Sequence, residues 1–201
     1  MDNLYFKEIE SKSGHRITFR PEKRIDLEGV WALYSSLSDD SRKSLPPFDR
    51  GLIERWSENL HAYSFPPILA TVATGPEEGR IIGRAVLTHD ERPSVRHRAE
   101  FGIVVHDDYQ DQGIGTELTE FMLNIARERD LMKVTLEVLS DNERAIHVYE
   151  KCGFRREGLL TNHYFYHERY HDVVVMSCTC ARTHTEDGIR ARSLRIYAGR
   201  S

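Results

Sequence analysis

Ile103-Val-Val-His-Asp-Asp-Tyr-Gln-Asp-Gln-Gly113-Ile-Gly115 joins two different patterns in one short stretch. Its apolar head closes the run Arg98–Val105, which reads as a strand. Its tail opens residues 115–129, where Leu118, Phe121, Met122, Ile125 and Ala126 recur at the spacing of an amphipathic helix. A strand that passes through a polar, glycine-containing loop straight into a helix is a building unit of layered α/β sheets. The loop also has a chemistry. Glycines at a helix N-terminus let backbone amides approach a ligand with no side chain in the way, backed by the positive end of the helix dipole. That combination suits a phosphate.

The flanks extend the pattern on both sides. Downstream, Lys133–Leu139 is rich in branched residues and reads as a strand. Ser140-Asp-Asn-Glu143 has the spacing of a capping box, with Ser140 as the cap. The helix it predicts carries Ala145, Val148, Tyr149 and Cys152 on one face and ends at Gly153. Strands follow at 154–159 and 172–179. Upstream, the runs 68–74 and 80–88 flank Gly75-Pro-Glu-Glu-Gly79 as a hairpin would. Earlier still come a strand at 16–20, a helix at 25–37, a polar loop at 38–48 containing Pro46-Pro47, and a short helix at 52–60. Residues 1–14 read as a loosely held lead-in. Residues 181–201, with five arginines, read as a mobile basic tail. The expected organisation is one domain over 15–180. Its class is α/β (α+β), with a mixed central sheet of about seven strands and helices on both faces.

Composition excludes several roles. The formal net charge of -4 gives no electrostatic basis for binding nucleic acid through the whole chain. Cys152, Cys178 and Cys180 form neither a disulfide framework nor a zinc ribbon, and a reducing cytoplasm is the natural setting. The N-terminus lacks the apolar stretch of a leader. No run approaches the ~18 apolar residues of a membrane helix, so no membrane partner is expected.

Three phosphate loops share the glycine-turn-helix layout. A nucleotide P-loop ends in Gly-Lys-Ser/Thr, but Gly115 is followed by Thr116-Glu117. A dinucleotide loop wants a third glycine where Leu118 stands. A coenzyme A loop remains, and so does an ordinary strand–helix turn that happens to use two glycines.

Two blocks carry a resemblance that separates these. The stretch 103–115 is similar, nearly position by position, to the signature of the GNAT superfamily of N-acetyltransferases. Leu136-Glu-Val-Leu-Ser-Asp-Asn142-Glu-Arg-Ala145-Ile-His-Val-Tyr149-Glu-Lys-Cys-Gly153-Phe154 resembles that family's second block, in which an Asn opens a helix and Ala, Tyr and Gly-Phe follow. The resemblance spans about 15–180. A weaker likeness around Arg20 to Arg42 is to the GNAT domain of bacterial and archaeal protein-lysine acetyltransferases. One departure is Asp107, where a proline is common; it is expected to cost little.

The resemblance implies a GNAT fold with a splayed gap between the fourth and fifth strands, here the strands at 98–105 and 133–139. Acetyl-CoA would lie in that gap as cosubstrate, with no metal. Ile103, Val104 and Val105 would pair with its pantetheine arm. Gln110 opens the loop, and the amides of Asp111, Gln112, Gly113, Ile114, Gly115 and Thr116 would take the pyrophosphate. Asn142 would bond the arm from the far side, alongside a helix-capping role. Tyr149 would border the thioester and act as general acid. The acceptor would be a primary amine of a protein or a small molecule, and a homodimer is compatible with the family. An alkyl ammonium at pH 7 lies roughly 3.4 units below its pKa, ~4.6 kcal/mol against the nucleophile, so a base is needed. Glu137 and Glu100 compete for that role. Both are mid-strand carboxylates on strands expected to be covered on both faces, where an ionised group is costly unless paired or functional. A non-catalytic acyl-CoA sensor on the same fold is the alternative.

His163, His167 and His171 have the i, i+4, i+8 spacing of a helical metal site. Tyr164-Phe-Tyr166 between them favours a hairpin that roofs the acceptor pocket, with Tyr164, Tyr166 and Tyr170 as walls or packing. Cys178 and Cys180 read as small core or edge residues.

Overall fold

The structure is a computed structural model, and it describes residues 3–43, 45 and 47–180. The arginine-rich segment expected at 181–201 lies outside the described residues. Among the described residues, eight strands form one sheet: β1 Lys7–Glu10, β2 Arg16–Pro21, β3 Ile68–Val72, β4 Ile81–His89, β5 Arg98–Val105, β6 Lys133–Leu139, β7 Arg155–Tyr166 and β8 Arg169–Thr179. Their spatial order is β1-β2-β3-β4-β5-β6-β8-β7. Every pairing is antiparallel except β5 with β6, which are joined through a crossover helix. The helices are α1 Leu27–Ser35, α2 Asp39–Arg42, α3 Arg50–Glu58, α4 Ile114–Glu128 and α5 Glu143–Lys151.

Two apolar clusters cover opposite faces. Ile114, Leu118, Met122 and Ile125 of α4 pack with Phe19, Ala70, Phe101, Val134 and Met176. Val30 and Leu33 of α1 and Ile53 of α3 pack with Leu69, Ile81 and Val104. The second cover lies over β3, β4 and the Val104 end of β5 and does not reach β6. Residues 135 and 137 alternate away from the buried Val134, Leu136 and Val138, so they face an open side of the sheet. This corrects the expectation that β5 and β6 are both covered on both faces, since Glu100 on β5 is exposed as well.

Three further expectations need correction. The lead-in contains a real strand: β1 pairs with β2 from Lys7↔Phe19 to Glu10↔Arg16, raising the strand count to eight. The polar loop at 38–48 contains α2, capped by the Ser38 hydroxyl accepting from the Ser41 amide. The last helix is capped by Asn142, whose side chain accepts from the Ala145 amide at 3.1 Å, and not by Ser140. Ser140 stays with the sheet, its amide donating to the Asp172 carbonyl at 2.9 Å. Gly153 does end α5, at φ 93°.

Candidate active site

β5 and β6 pair only from Arg98↔Lys133 to Glu100↔Thr135. Past that point β5 runs on to Val105 and β6 to Leu139 with no ladder between them. The sheet is split there. Ile103, Val104 and Val105 pair with Ala85, Arg84 and Gly83 on the β4 side and have no strand partner toward β6 among the described residues. An extended chain can use that free edge.

The glycine loop closes the top of the split. Gly113, at φ 85°, is the N-cap of α4, and Asp111 is also left-handed at φ 60°. The amides of residues 111–116 donate no hydrogen bond among the described residues. They are the orphan donors of a helix start, with α4's dipole behind them. A methyl group added at Gly115 would meet nothing within 4 Å. Bare amides beside open space fit a pyrophosphate.

Other elements hold this loop in shape. Asp107 accepts from the Ser38 amide at 2.9 Å, the Ser38 hydroxyl at 2.7 Å and the Ser41 hydroxyl at 2.6 Å. Burial works against its charge, but these bonds hold its carboxyl below the usual range. The position where a proline is common is therefore the anchor of α2. The Gln110 side chain donates to the Val105 carbonyl at 3.0 Å and to Ser41 at 3.2 Å, so it braces the loop. Gln112 is gripped from the β1–β2 turn. Its carbonyl accepts from the Lys12 amide at 3.0 Å, and its side chain bonds Ser13 and the Asp108 carbonyl. Sequence reasoning missed this bracing, because nothing in residues 11–15 announces a partner at 112.

Two further side groups come from α5 and its cap. Asn142 uses its oxygen as the α5 cap, and its NH₂ has no partner among the described residues. Tyr149 packs edge-on against Phe101, centroids 6.4 Å apart, and against Phe154 at 5.8 Å. Phe101 is the first β5 residue past the end of the ladder. The Tyr149 hydroxyl has no hydrogen-bond partner among the described residues, and burial pushes its pKa up to about 12.

Glu100 and Glu137 lie on the other face and line one cavity of about 400 Å³ with Arg98, Lys133 and Glu157. Glu137 accepts a hydrogen bond from the Tyr164 hydroxyl at 3.3 Å and faces His163 at 3.7 Å. Glu100 makes no hydrogen bond or ion pair among the described residues. Lys133 pairs with Glu157 at 2.7 Å. The three histidines sit on a β-hairpin, as Tyr164-Phe-Tyr166 suggested, with His163 on β7 and His171 on β8. Tyr166 and His171 line a second cavity of about 460 Å³, with Asp39, Asp40, Lys43 and Asp141. Tyr170 packs at a tilt against Phe165 at the surface, ring centroids 5.0 Å apart. Cys178 and Cys180 are buried.

A split parallel pair, a bare-amide loop and flanking Asn and Tyr are the arrangement of a family. The acetyltransferase (GNAT) family model matches residues 30–154, and the chain belongs to that family. Spermidine N(1)-acetyltransferase of Escherichia coli (strain K12) is 28% identical over 167 residues, 82% of this chain and 86% of that protein. The ribosomal protein bS18-alanine N-acetyltransferase of the same strain is 34% identical over 77 residues, 38% of this chain and 52% of that protein. The spermidine N-acetyltransferase of Vibrio cholerae, solved in complex with CoA and spermine, superimposes with a TM-score of 0.67 at 26% identity, covering 81% of this chain and 95% of that one. The chain is an N-acetyltransferase that draws on acetyl-CoA. No helix among the described residues is long and apolar enough to cross a membrane.

Proposed function

We propose that the chain acetylates a primary alkyl amine by direct attack, with Glu137 as general base and Tyr149 as donor to the leaving sulfur. One observation carries this reading. The two groups flank the mouth of the split from opposite faces, Glu137 on the open side and Tyr149 on the helix side. An amine can enter from the first while a thiolate departs toward the second. Bound acetyl-CoA supplies an activated thioester. Free amides at 111–116, the open β5 edge at 103–105 and the Asn142 NH₂ would hold it.

Glu137 is the better base because two side chains are aimed at it, whereas Glu100 has none. Tyr149 keeps its proton throughout the physiological range, since its pKa is raised to about 12. Against a thiol of ordinary pKa, about 8.5, full proton transfer is uphill. Its contribution is therefore a strong hydrogen bond to the developing thiolate. Such a bond to a charged group is worth about 1.5–3 kcal/mol, so Tyr149→Phe should lower kcat by about 10–150-fold. Steady-state kinetics with KM for acetyl-CoA unchanged would agree; an unaltered kcat would remove Tyr149 from the mechanism.

The cofactor cradle has its own test. Gly115→Ala places a methyl in open space and adds helix propensity, so it should stabilise the fold by up to about 1 kcal/mol. The same methyl stands beside the bare amides and should weaken coenzyme A binding about tenfold, ~1.4 kcal/mol. Melting curves and calorimetric titration give both numbers. Unchanged affinity would move the pyrophosphate elsewhere.

For the acceptor, a short polycationic amine of the spermidine type fits best. A relative matched along most of its length acts on spermidine, and each cavity carries one carboxylate more than it has cations: Asp39, Asp40 and Asp141 against Lys43 and Arg169, and Glu100, Glu137 and Glu157 against Arg98 and Lys133. A thiol-release assay should rank spermidine and spermine above lysine peptides, alanine-terminated peptides and free amino acids. A peptide at the head of that ranking would replace the polyamine reading with protein acetylation. Tight coenzyme A binding without turnover on any amine would favour a sensor.

A further inference from the structure

His163 and Tyr164 are consecutive residues of β7, yet both reach the same Glu137 oxygen, at 3.7 and 3.3 Å. Consecutive residues of a regular strand point to opposite faces. β7 is not regular here. Its register against β8 shifts between Leu160 and Tyr164, and Asn162, inside that shift, is left-handed at φ 52°. The Asn162 amide donates to Asp172 Oδ1 at 2.8 Å, which pins the bulge to β8. Asparagine tolerates the left-handed region better than other non-glycine residues, and bulges commonly re-aim a side chain beside an active site. What this one delivers is an imidazole and a phenol to one carboxylate.

We propose that His163 is a positioning residue that acts through Glu137, carrying to solvent the proton that Glu137 takes from the amine. The inference rests on reading Glu137 as the base. The balance of the reaction requires such an exit. An ammonium and a thioester become an amide, a thiol and one free proton. The ammonium nitrogen gives up two protons; the departing thiolate, hydrogen-bonded by Tyr149, takes up one from solvent, so the net release is one. As the N–H bond breaks, an O–H bond forms on Glu137. A protonated carboxyl is no base for the next turnover. His163 accepts that proton at Nε2 and releases the one on Nδ1 to water, which restores Glu137; the exposed ring then returns to its starting tautomer by proton exchange with solvent.

The surroundings suit this task. The His163 side chain is 41% exposed, and its Nδ1 has no partner among the described residues. Its ring stands edge-on to Tyr164, centroids 5.2 Å apart, so the orientation is held. The 3.7 Å separation is an ion-pair distance that one water or a small ring shift completes, and such bonds are often long before substrate binds.

The test uses His163→Ala, His163→Gln and Glu137→Gln in the full chain. His163→Ala should lower kcat about tenfold, with both KM values within about twofold. Free imidazole in the buffer should restore most of the loss, because the vacated site is open to solvent. His163→Gln keeps the size and a hydrogen bond but carries no proton, so it should be equally slow. Without any substrate, the His163 ring resonance should move in Glu137→Gln. Adding His163→Ala to Glu137→Gln should cost nothing more. An unimpaired His163→Ala, a fully active His163→Gln, failure of imidazole to rescue, or an unmoved resonance would each overturn the proposal. If Glu137→Gln is itself fully active, the base assignment fails first and this inference with it. If Glu137→Gln is crippled while His163→Ala is not, only the relay fails.

Discussion

Glu137→Gln is expected to lower kcat by about 10²–10⁴-fold, the range for loss of a positioned general base. Glu100→Gln should change it by no more than about threefold. The two carboxylates are close in the fold and share one cavity, so the contrast is a demanding one. It follows from their partners. Glu137 receives the Tyr164 hydroxyl and faces His163, both brought to it by a bulge. Glu100 receives no hydrogen bond or ion pair among the described residues, and the lysine nearest in register to Arg98 is engaged with Glu157. Substitution at either exposed carboxylate should leave the melting temperature nearly unchanged, because surface changes are usually within about 0.5 kcal/mol. Affinity for coenzyme A should also hold, since neither carboxylate faces the amides at 111–116. A larger loss from Glu100→Gln than from Glu137→Gln would transfer the base to β5.

The sequence made the site's frame legible and left its surroundings dark. Lys133–Leu139 and Arg98–Val105 have the bounds read from their branched runs, because a buried strand needs a dense apolar row. α4 starts within one residue of the predicted position, since glycine marks its cap and the stripe marks its body. β1 escaped notice because Lys7-Glu-Ile-Glu10 offers only Ile9 as an inward residue. An edge strand with one paired side needs no more. α2 escaped for a related reason: Asp39-Asp-Ser-Arg42 has no apolar stripe, and what holds it is Asp107, sixty-odd residues away. Ser140 and Asn142 are equally good caps in sequence. The choice fell to Asn142 because Ser140 is still tied to β8. The exposure of Glu137 depends on how far α1 and α3 extend over the sheet, and no local pattern encodes that. The bulge at 161–163 is also a tertiary matter, fixed by Asp172 on the next strand.

Removing Glu22 should destabilise the fold by about 3–5 kcal/mol, the usual cost of leaving one member of a buried ion pair without the other. For a chain of this size that is a fall of about 6–20 °C in Tm. Glu22 and Arg84 are joined by a 2.6 Å bond, and their side chains are 0% and 4% exposed. Arg84 also lies over the Trp56 ring at 5.3 Å, and Ser57 donates to the second Glu22 oxygen at 3.3 Å. Burial alone would push the Arg84 pKa down, but Tyr34 and Glu22 beside it more than offset that and hold it raised. The guanidinium therefore stays charged when Glu22→Ala removes its counter-ion. One of its nitrogens already lacks a hydrogen-bond partner among the described residues, and Glu22 is its one carboxylate partner among them. Glu22→Gln keeps a hydrogen-bond acceptor and should cost less than Glu22→Ala. Replacing both members with apolar residues, as in Glu22→Leu with Arg84→Met, should recover much of the loss, because it removes the charge along with its partner. A double-mutant cycle from thermal melts measures the coupling directly. The effect should also be felt at the site. Arg84 stands opposite Val104 on β5, one strand from the split that receives the cofactor. If Glu22→Ala melts like the parent, the pair is solvated after all, and α1 and α3 do not seal this face of the sheet.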